Sequence, residues 1–246
     1  MILYVGGSFD TVSHQHHAGQ ICIGLSKPIR LINSQGKDEI FKSVFIPANT
    51  PHQLIAKETD FATLFLDIQS ADYEMLMKYN HEDPTQQFIP LALSSELISD
   101  LTAICQETDK NIKPRNIINK MMNELIEERS IVSHLDPRIA TVIQQLDSHT
   151  ECQVPLEKLA ASVYLSPSRL LNLFKAQIGT PIRRYSLWRR IQVAMEHAVK
   201  YNSLTEGAHY AGFTDSAHFS RVFKEMYGIN PSGIISKHFP VSISFE

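Results

Sequence analysis

Cysteine is scarce: the 246 residues hold three, Cys22, Cys105 and Cys152, far apart and with no Cys-x-x-Cys pair. This argues against a disulfide framework and a thiolate zinc site, and leaves three small apolar side chains suited to a core. No apolar run approaches the roughly 18 residues that a membrane helix needs, so no membrane partner is expected. The start, MILYVGGSFD, lacks the basic segment and long apolar stretch of a signal peptide, and the expectation is a cytoplasmic protein. Common catalytic signatures are missing too: there is no Walker A loop, no Gly-x-Ser-x-Gly and no His-Glu-x-x-His. What remains is an ordinary globular composition, 43% hydrophobic and 20% charged, long enough for one or two domains.

The small net charge of −3 conceals two unlike halves. Residues 1–133 carry 11 Lys and Arg against 17 Asp and Glu, net −6; residues 134–246 carry 12 against 9, net +3, with six of the eleven histidines. A basic half beside an acidic one hints at nucleic-acid contact. The residue pattern divides similarly. Short β-branched runs (ICIGL, IRLI, SVFIP, HQLIA, TLFLDI) fill residues 1–70, separated by turn signals, and predict a sandwich or barrel. Helical spacing takes over at 71–133, in ELISDLTAIC and NIINKMMNELIEE, and a second, helical domain is expected over 134–246. The fold class is therefore α+β.

The second domain contains a repeat. Leu156 and Ala160 recur 48 residues later as Leu204 and Ala208; Leu170, Phe174, Lys175 and Gly179 recur 49 residues later as Phe219, Phe223, Lys224 and Gly228. Duplicated apolar skeletons with the same closing glycine imply duplicated supersecondary structure. Each copy reads as a short helix, a turn and a second helix, capped by Ser166 before Pro167 in the first copy and by Thr214 or Asp215 in the second. Thr180-Pro181 opens a long helix between them, and Asp136-Pro137 opens another with Ile139, Val142, Ile143 and Leu146 on one face. Gly207 stands at an apolar core position of the second copy's first helix, where glycine costs about 1 kcal/mol of helix propensity.

Such a unit is a helix-turn-helix, whose second helix can enter a DNA major groove. With Leu170, Leu173 and Phe174 inward, 100° per residue places Ser168, Asn172 and Lys175 outward; in the second copy Ala217, Arg221 and Lys224 face outward. Both outward sets keep the 49-residue offset. Arg221 suits bidentate readout of guanine, or a phosphate contact, and Asn172 suits adenine. Lys175 and Lys224 suit phosphates. Arg183, Arg184, Arg189 and Arg190 cannot all share one side of the long helix, so some should pair within the chain; Trp188 fits a core.

The motifs LEKLAASVYLSPSRLLNLFKAQIGTP and GFTDSAHFSRVFKEMYGINP resemble the AraC/XylS family of bacterial transcription regulators, from residue 138 to about 235. The resemblance implies two helix-turn-helix units joined by a long linker helix and bound to successive major-groove segments of double-stranded DNA. By matching position, Ser168, Arg169 and Asn172, then Ala217, His218 and Arg221, would meet bases or nearby phosphates. It also implies a small-molecule effector and RNA polymerase as further partners.

In the first half, His14-Gln15-His16-His17 and the later His52 resemble the two motifs of a small cupin-like β-barrel, which many members of that family carry as a sensor. The resemblance implies His14, His16 and His52 as ligands of a divalent metal, with Gln20 at the position of an acidic ligand. Alternatively, His14, His16, His17, Gln20 and His52 line a pocket for an organic effector. The leading reading is a sequence-specific DNA-binding regulator, not an enzyme; the alternative is a metal-dependent cupin enzyme with an accessory helical domain. The apolar helices over 95–130 can pair two subunits as a homodimer or pack within the chain.

Overall fold

A computed structural model describes all residues except 8, 69, 81–85, 107–112, 127–134, 149–153, 236–241 and 246. The boundary expected between 133 and 134, and Cys152, fall outside the described residues. The chain divides into two compact units: residues 1–131 with 223–246, and residues 132–222. The architecture is α+β, with antiparallel sheets in the first unit and, among the described residues, only helices in the second.

The first unit contains β1 (Ile2–Gly6), β2 (Ala18–Gly24), β3 (Ile29–Asn33), β4 (Asp38–Phe41), β5 (Ser43–Ile46), β6 (His52–Ile55) and β7 (Phe61–Asp67). Then come α1 (Ala71–Asn80), β8 (Ile89–Pro90), α2 (Ser95–Cys105) and α3 (Pro114–Leu125). One sheet has the order β8-β5-β2-β7-β1 and the other β4-β3-β6, every pairing antiparallel. Strand alternation sorts the side chains into two cores. Tyr4, Cys22, Val44, Ile46 and Phe61 point toward Ile29, Leu31 and Leu54 of the smaller sheet. Leu3, Val5, Ile21, Ile23, Phe45, Leu64 and Leu66 point the other way, onto the helices. Because β2 is covered on both faces, it reads as an almost unbroken apolar run. Each fully buried Leu or Ile contributes about 1.5–3 kcal/mol.

The helices at 95–125 use their apolar faces here. Leu97, Leu101, Ile117, Ile118, Met121 and Met122 all lie in the sheet-facing core. Ser94 caps α2 by accepting the Leu97 N–H, and donates to Glu124 of α3; Lys120 bridges Glu96 and Asp100. These apolar faces thus pack within the chain.

The helical unit contains α4 (Pro137–Ser148), α5 (Leu156–Ser162), α6 (Pro167–Ile178), α7 (Ile182–Tyr201), α8 (Leu204–Tyr210) and α9 (Ser216–Tyr227), whose last turn is counted with the first unit. The chain closes with α10 (Pro231–Ile235) and β9 (Ser242–Phe245), which pairs with β1 at the edge of the larger sheet. Two strands therefore lie outside the segment 1–70 expected to hold all the β structure. β8 has only two residues, too few to show a period, whereas the sequence of β9 alternates polar and apolar residues but follows a long helical stretch, so its partner β1 is remote in sequence. Among the described residues, no helix is long and apolar enough to cross a membrane.

Candidate nucleic-acid interface and histidine cluster

The duplicated units are alike down to their hydrogen bonds. In each turn an N–H reaches back to the short helix at 2.9 Å: Leu165 to Ala160 O, and Phe213 to Ala208 O. Just before that residue the backbone turns left-handed, at Tyr164 (φ 56°) and Gly212 (φ 72°). Ser166 then caps α6 by accepting the Arg169 N–H, and Asp215 caps α9 by accepting the His218 N–H at 2.7 Å. That N–H also holds the Asp215 carboxyl below its ordinary pKa. Both helices end on a left-handed glycine at φ 73°, Gly179 and Gly228. The offset changes from 48 to 49 because the second turn holds one extra residue, Thr214, whose hydroxyl meets His218 Nδ1 at 3.2 Å.

Inside, Leu170, Phe174 and Ile178 of α6 and Phe219 and Val222 of α9 are buried. Tyr185 packs edge-on against Phe174, and Trp188 beside it is 2% exposed, a core residue as expected. Gly207 is no defect. A Cβ there would lie 2.3 Å from Ala194 O and 2.7 Å from Ala198 Cβ on α7, so glycine is what lets α8 approach. Two linker arginines are committed internally, as the spacing argument required: Arg189 pairs with Asp147 at 2.6 Å, while Arg190 donates to Ala211 O and Gly212 O and lies over the Phe213 ring. Arg190 thereby braces the second turn, a role with no sequence signature.

Ser168, Arg169, Asn172 and Lys175 are exposed on α6, as are Ala217, Arg221 and Lys224 on α9. His218 is half-buried, its ring edge-on to Phe213. A groove of about 970 Å³ is lined mainly by α5 and α7, through Leu156, Leu159, Arg183, Leu187 and Arg190, with Leu171 of α6 and His218 of α9 at it. The sequence offered one clue to it, the apolar Leu171 on an otherwise polar face.

In the first unit, His14 and His52 form an isolated β-bridge, and one ring nitrogen from each of His14, His16 and His52 lies within 4.8 Å of the others. All three are buried. Each Nδ1 meets a carbonyl two residues away: His14 to Val12 O at 2.9 Å, His16 to Ala18 O at 2.9 Å, His52 to Thr50 O at 2.8 Å. Burial lowers all three pKa values, with the neighbouring imidazoles adding to the effect at His16 and His52; His16 falls to about 4. The rings are therefore neutral near pH 7, with the proton on Nδ1 and a lone pair on Nε2. His52 Nε2 is buried with no hydrogen-bond partner among the described residues. His16 Nε2 faces Gln20 Oε1 at 2.7 Å, and Gln20 Nε2 donates to Thr63. Two lone pairs facing at that distance are reconciled if the amide turns over to donate, or if both bind a cation. His17 is buried but does not join this group.

Paired, capped helix-turn-helix units with basic residues on their outer faces define a DNA-binding domain of the two-motif kind. Residues 159–236 match a family model described as a helix-turn-helix domain. The chain is 30% identical over 122 residues to the arabinose operon regulatory protein of Escherichia coli, covering 48% of this chain and 41% of that protein. It is 24% identical over 148 residues to the probable transcriptional regulator LumQ of Photobacterium leiognathi, covering 57% and 59%. Over part of its length the chain is thus similar to these regulators, with the helix-turn-helix match lying mostly in its helical unit. It spans about half the length of the curated relatives it matches. Its fold is similar to crystal structures of ToxT from Vibrio cholerae: one apo variant has TM-score 0.59 and 14% identity, covering 96% of both chains. Another, of ToxT bound to an unsaturated fatty acid, has TM-score 0.59 and 12% identity, covering 96% of this chain and 94% of that one.

Proposed function

We propose that this protein is a cytoplasmic, sequence-specific DNA-binding transcription regulator, with residues 134–246 contributing the DNA-binding part and residues 1–70 a cupin-like sensor. The observation that carries this reading is the pair of outer faces on α6 and α9, exposed at the same offset and set by equivalent caps. Ser168, Arg169 and Asn172, then Ala217, His218 and Arg221, meet bases or adjacent phosphates; Lys175 and Lys224 meet phosphates. α7 serves as the linker that spaces the two reading helices. The enzyme alternative loses ground because the matched relatives are regulators.

Selection of bound duplexes from a random library by the full chain tests this. A sequence motif should emerge, and affinity for it should fall steeply with salt as phosphate contacts release counterions. Failure to enrich any sequence, with the protein folded, overturns the proposal.

For the sensor, the unpartnered His52 Nε2 and the His16–Gln20 lone-pair contact favour a divalent transition ion held by His14, His16 and His52, with Gln20 Oε1 beside them. Imidazole donors suit zinc, copper, nickel or iron. Equilibrium dialysis of untagged protein should find close to one zinc ion per chain, lost in His52→Ala. No uptake returns these residues, with His17, to the reading of a pocket for an organic effector.

A further inference from the structure

The two reading helices share an apolar skeleton, a capping residue and a closing glycine, yet their ends meet different surroundings. A Cβ on Gly179, which closes α6, would meet nothing within 4 Å. A Cβ on Gly228, which closes α9, would lie 2.6 Å from His14 Nδ1 and 2.7 Å from Val12 O. Gly228 O accepts the Val12 N–H at 3.0 Å, and Val12 O is the acceptor for His14 Nδ1. One residue earlier, the Tyr227 ring stacks on His16 with centroids 6.2 Å apart and 27° between planes, and stands edge-on to Phe65 at 5.2 Å. Phe223 stacks on Tyr227 at 4.7 Å, one helical turn back toward Arg221. The last turn of α9 is thus part of the same compact unit as the histidines and forms one wall of their cluster.

We infer that the last turn of α9, through Tyr227 and Gly228, reads the metal occupancy of the histidine cluster, so that a divalent ion acts on the second reading helix and leaves the first unaffected. This rests on the metal reading above. Binding an ion fixes the rings of His14 and His16. One of these is tied through Val12 to the closing glycine, and the other lies against Tyr227. Fixing both removes freedom from the final turn of α9, and that turn is continuous with the exposed Arg221 and Lys224. At Gly179, among the described residues, no histidine or backbone contact of this kind approaches α6, whose end is held instead by the Asp136 N–H donated to Gln177 Oε1. Linkage makes the effect reciprocal: whatever holds α9 in its docked state raises metal affinity by the same factor.

Amide hydrogen exchange of the full chain, with and without Zn²⁺, tests the inference, with Mg²⁺ as a hard-ion control. Exchange at residues 223–228 should slow about fivefold or more on adding Zn²⁺, with no matching change at 174–179. Tyr227→Leu should weaken Zn²⁺ binding by a similar factor and reduce the protection. Near-stoichiometric Zn²⁺ binding without change at 223–228, or with equal change at 174–179, overturns the inference and leaves the metal site standing. Absence of Zn²⁺ binding overturns both.

Discussion

Gly207→Ala separates local propensity from packing, because the two predict opposite signs. In an isolated helix, alanine for glycine stabilises by about 1 kcal/mol. In this protein the new methyl would sit 2.3 Å from Ala194 O and 2.9 Å from Ala198 N, both backbone atoms that cannot rotate away. α8 would have to lift from α7, opening a seam where Ala194, Ala198, Ala208 and Ala211 are all buried. Overpacking of this kind costs about 1–3 kcal/mol, and the unyielding partners put this site at the upper end. The net destabilisation should be on the order of 1–2 kcal/mol, or about 4–8 °C per kcal/mol for a domain of this size. Trp188, the only tryptophan, is buried in the same unit, so its fluorescence during thermal unfolding reports the relevant transition. A raised midpoint for Gly207→Ala would refute the close-packing argument.

Tyr164 is 97% exposed and left-handed, where its counterpart in the second turn is glycine. Tyr164→Gly should therefore raise the same midpoint, by about 1 kcal/mol in stability; a fall would show that the ring contributes packing. Arg221→Ala should cost about 1–3 kcal/mol on the selected duplex and much less on a scrambled one, whereas Lys175→Ala should weaken both alike; titration against the two duplexes decides. Acid should destabilise the metal-free sheet unit. Its buried imidazoles have lowered pKa values, so below pH 6.5 the unfolded chain binds protons that the folded chain refuses, and stability drops as pH falls toward 4. A urea midpoint that stays level between pH 7.5 and 5 would contradict this.

Much of the second unit was legible because its determinants are local. Capping residues, closing glycines and a proline at the first helical position act within a few residues of themselves, and the duplication supplied a check on each. Gly207 looked like a weakness because its reason is a distance to another helix. Arg190 was indistinguishable from its neighbours until the turn carbonyls it binds were in place. In the first unit the β-branched runs marked β2, β3, β5, β6 and β7, but β1, the polar β4 (DEIF) and the edge strands β8 and β9 were not among them. His14 and His52 are 38 positions apart, and only the likeness to a known motif suggested that they meet. The contact of Tyr227 and Gly228 with that cluster was hidden, since Gly179 and Gly228 close their helices in the same way.

The central claim is that α6 and α9 read two separate DNA segments. Hydroxyl-radical footprinting of the full chain on a selected duplex tests it most directly. The account predicts two protected patches on one face of the DNA, about one helical turn (10–10.5 base pairs) apart, with Asn172→Ala weakening one and Arg221→Ala the other. A single patch, weakened equally by both substitutions, would contradict it.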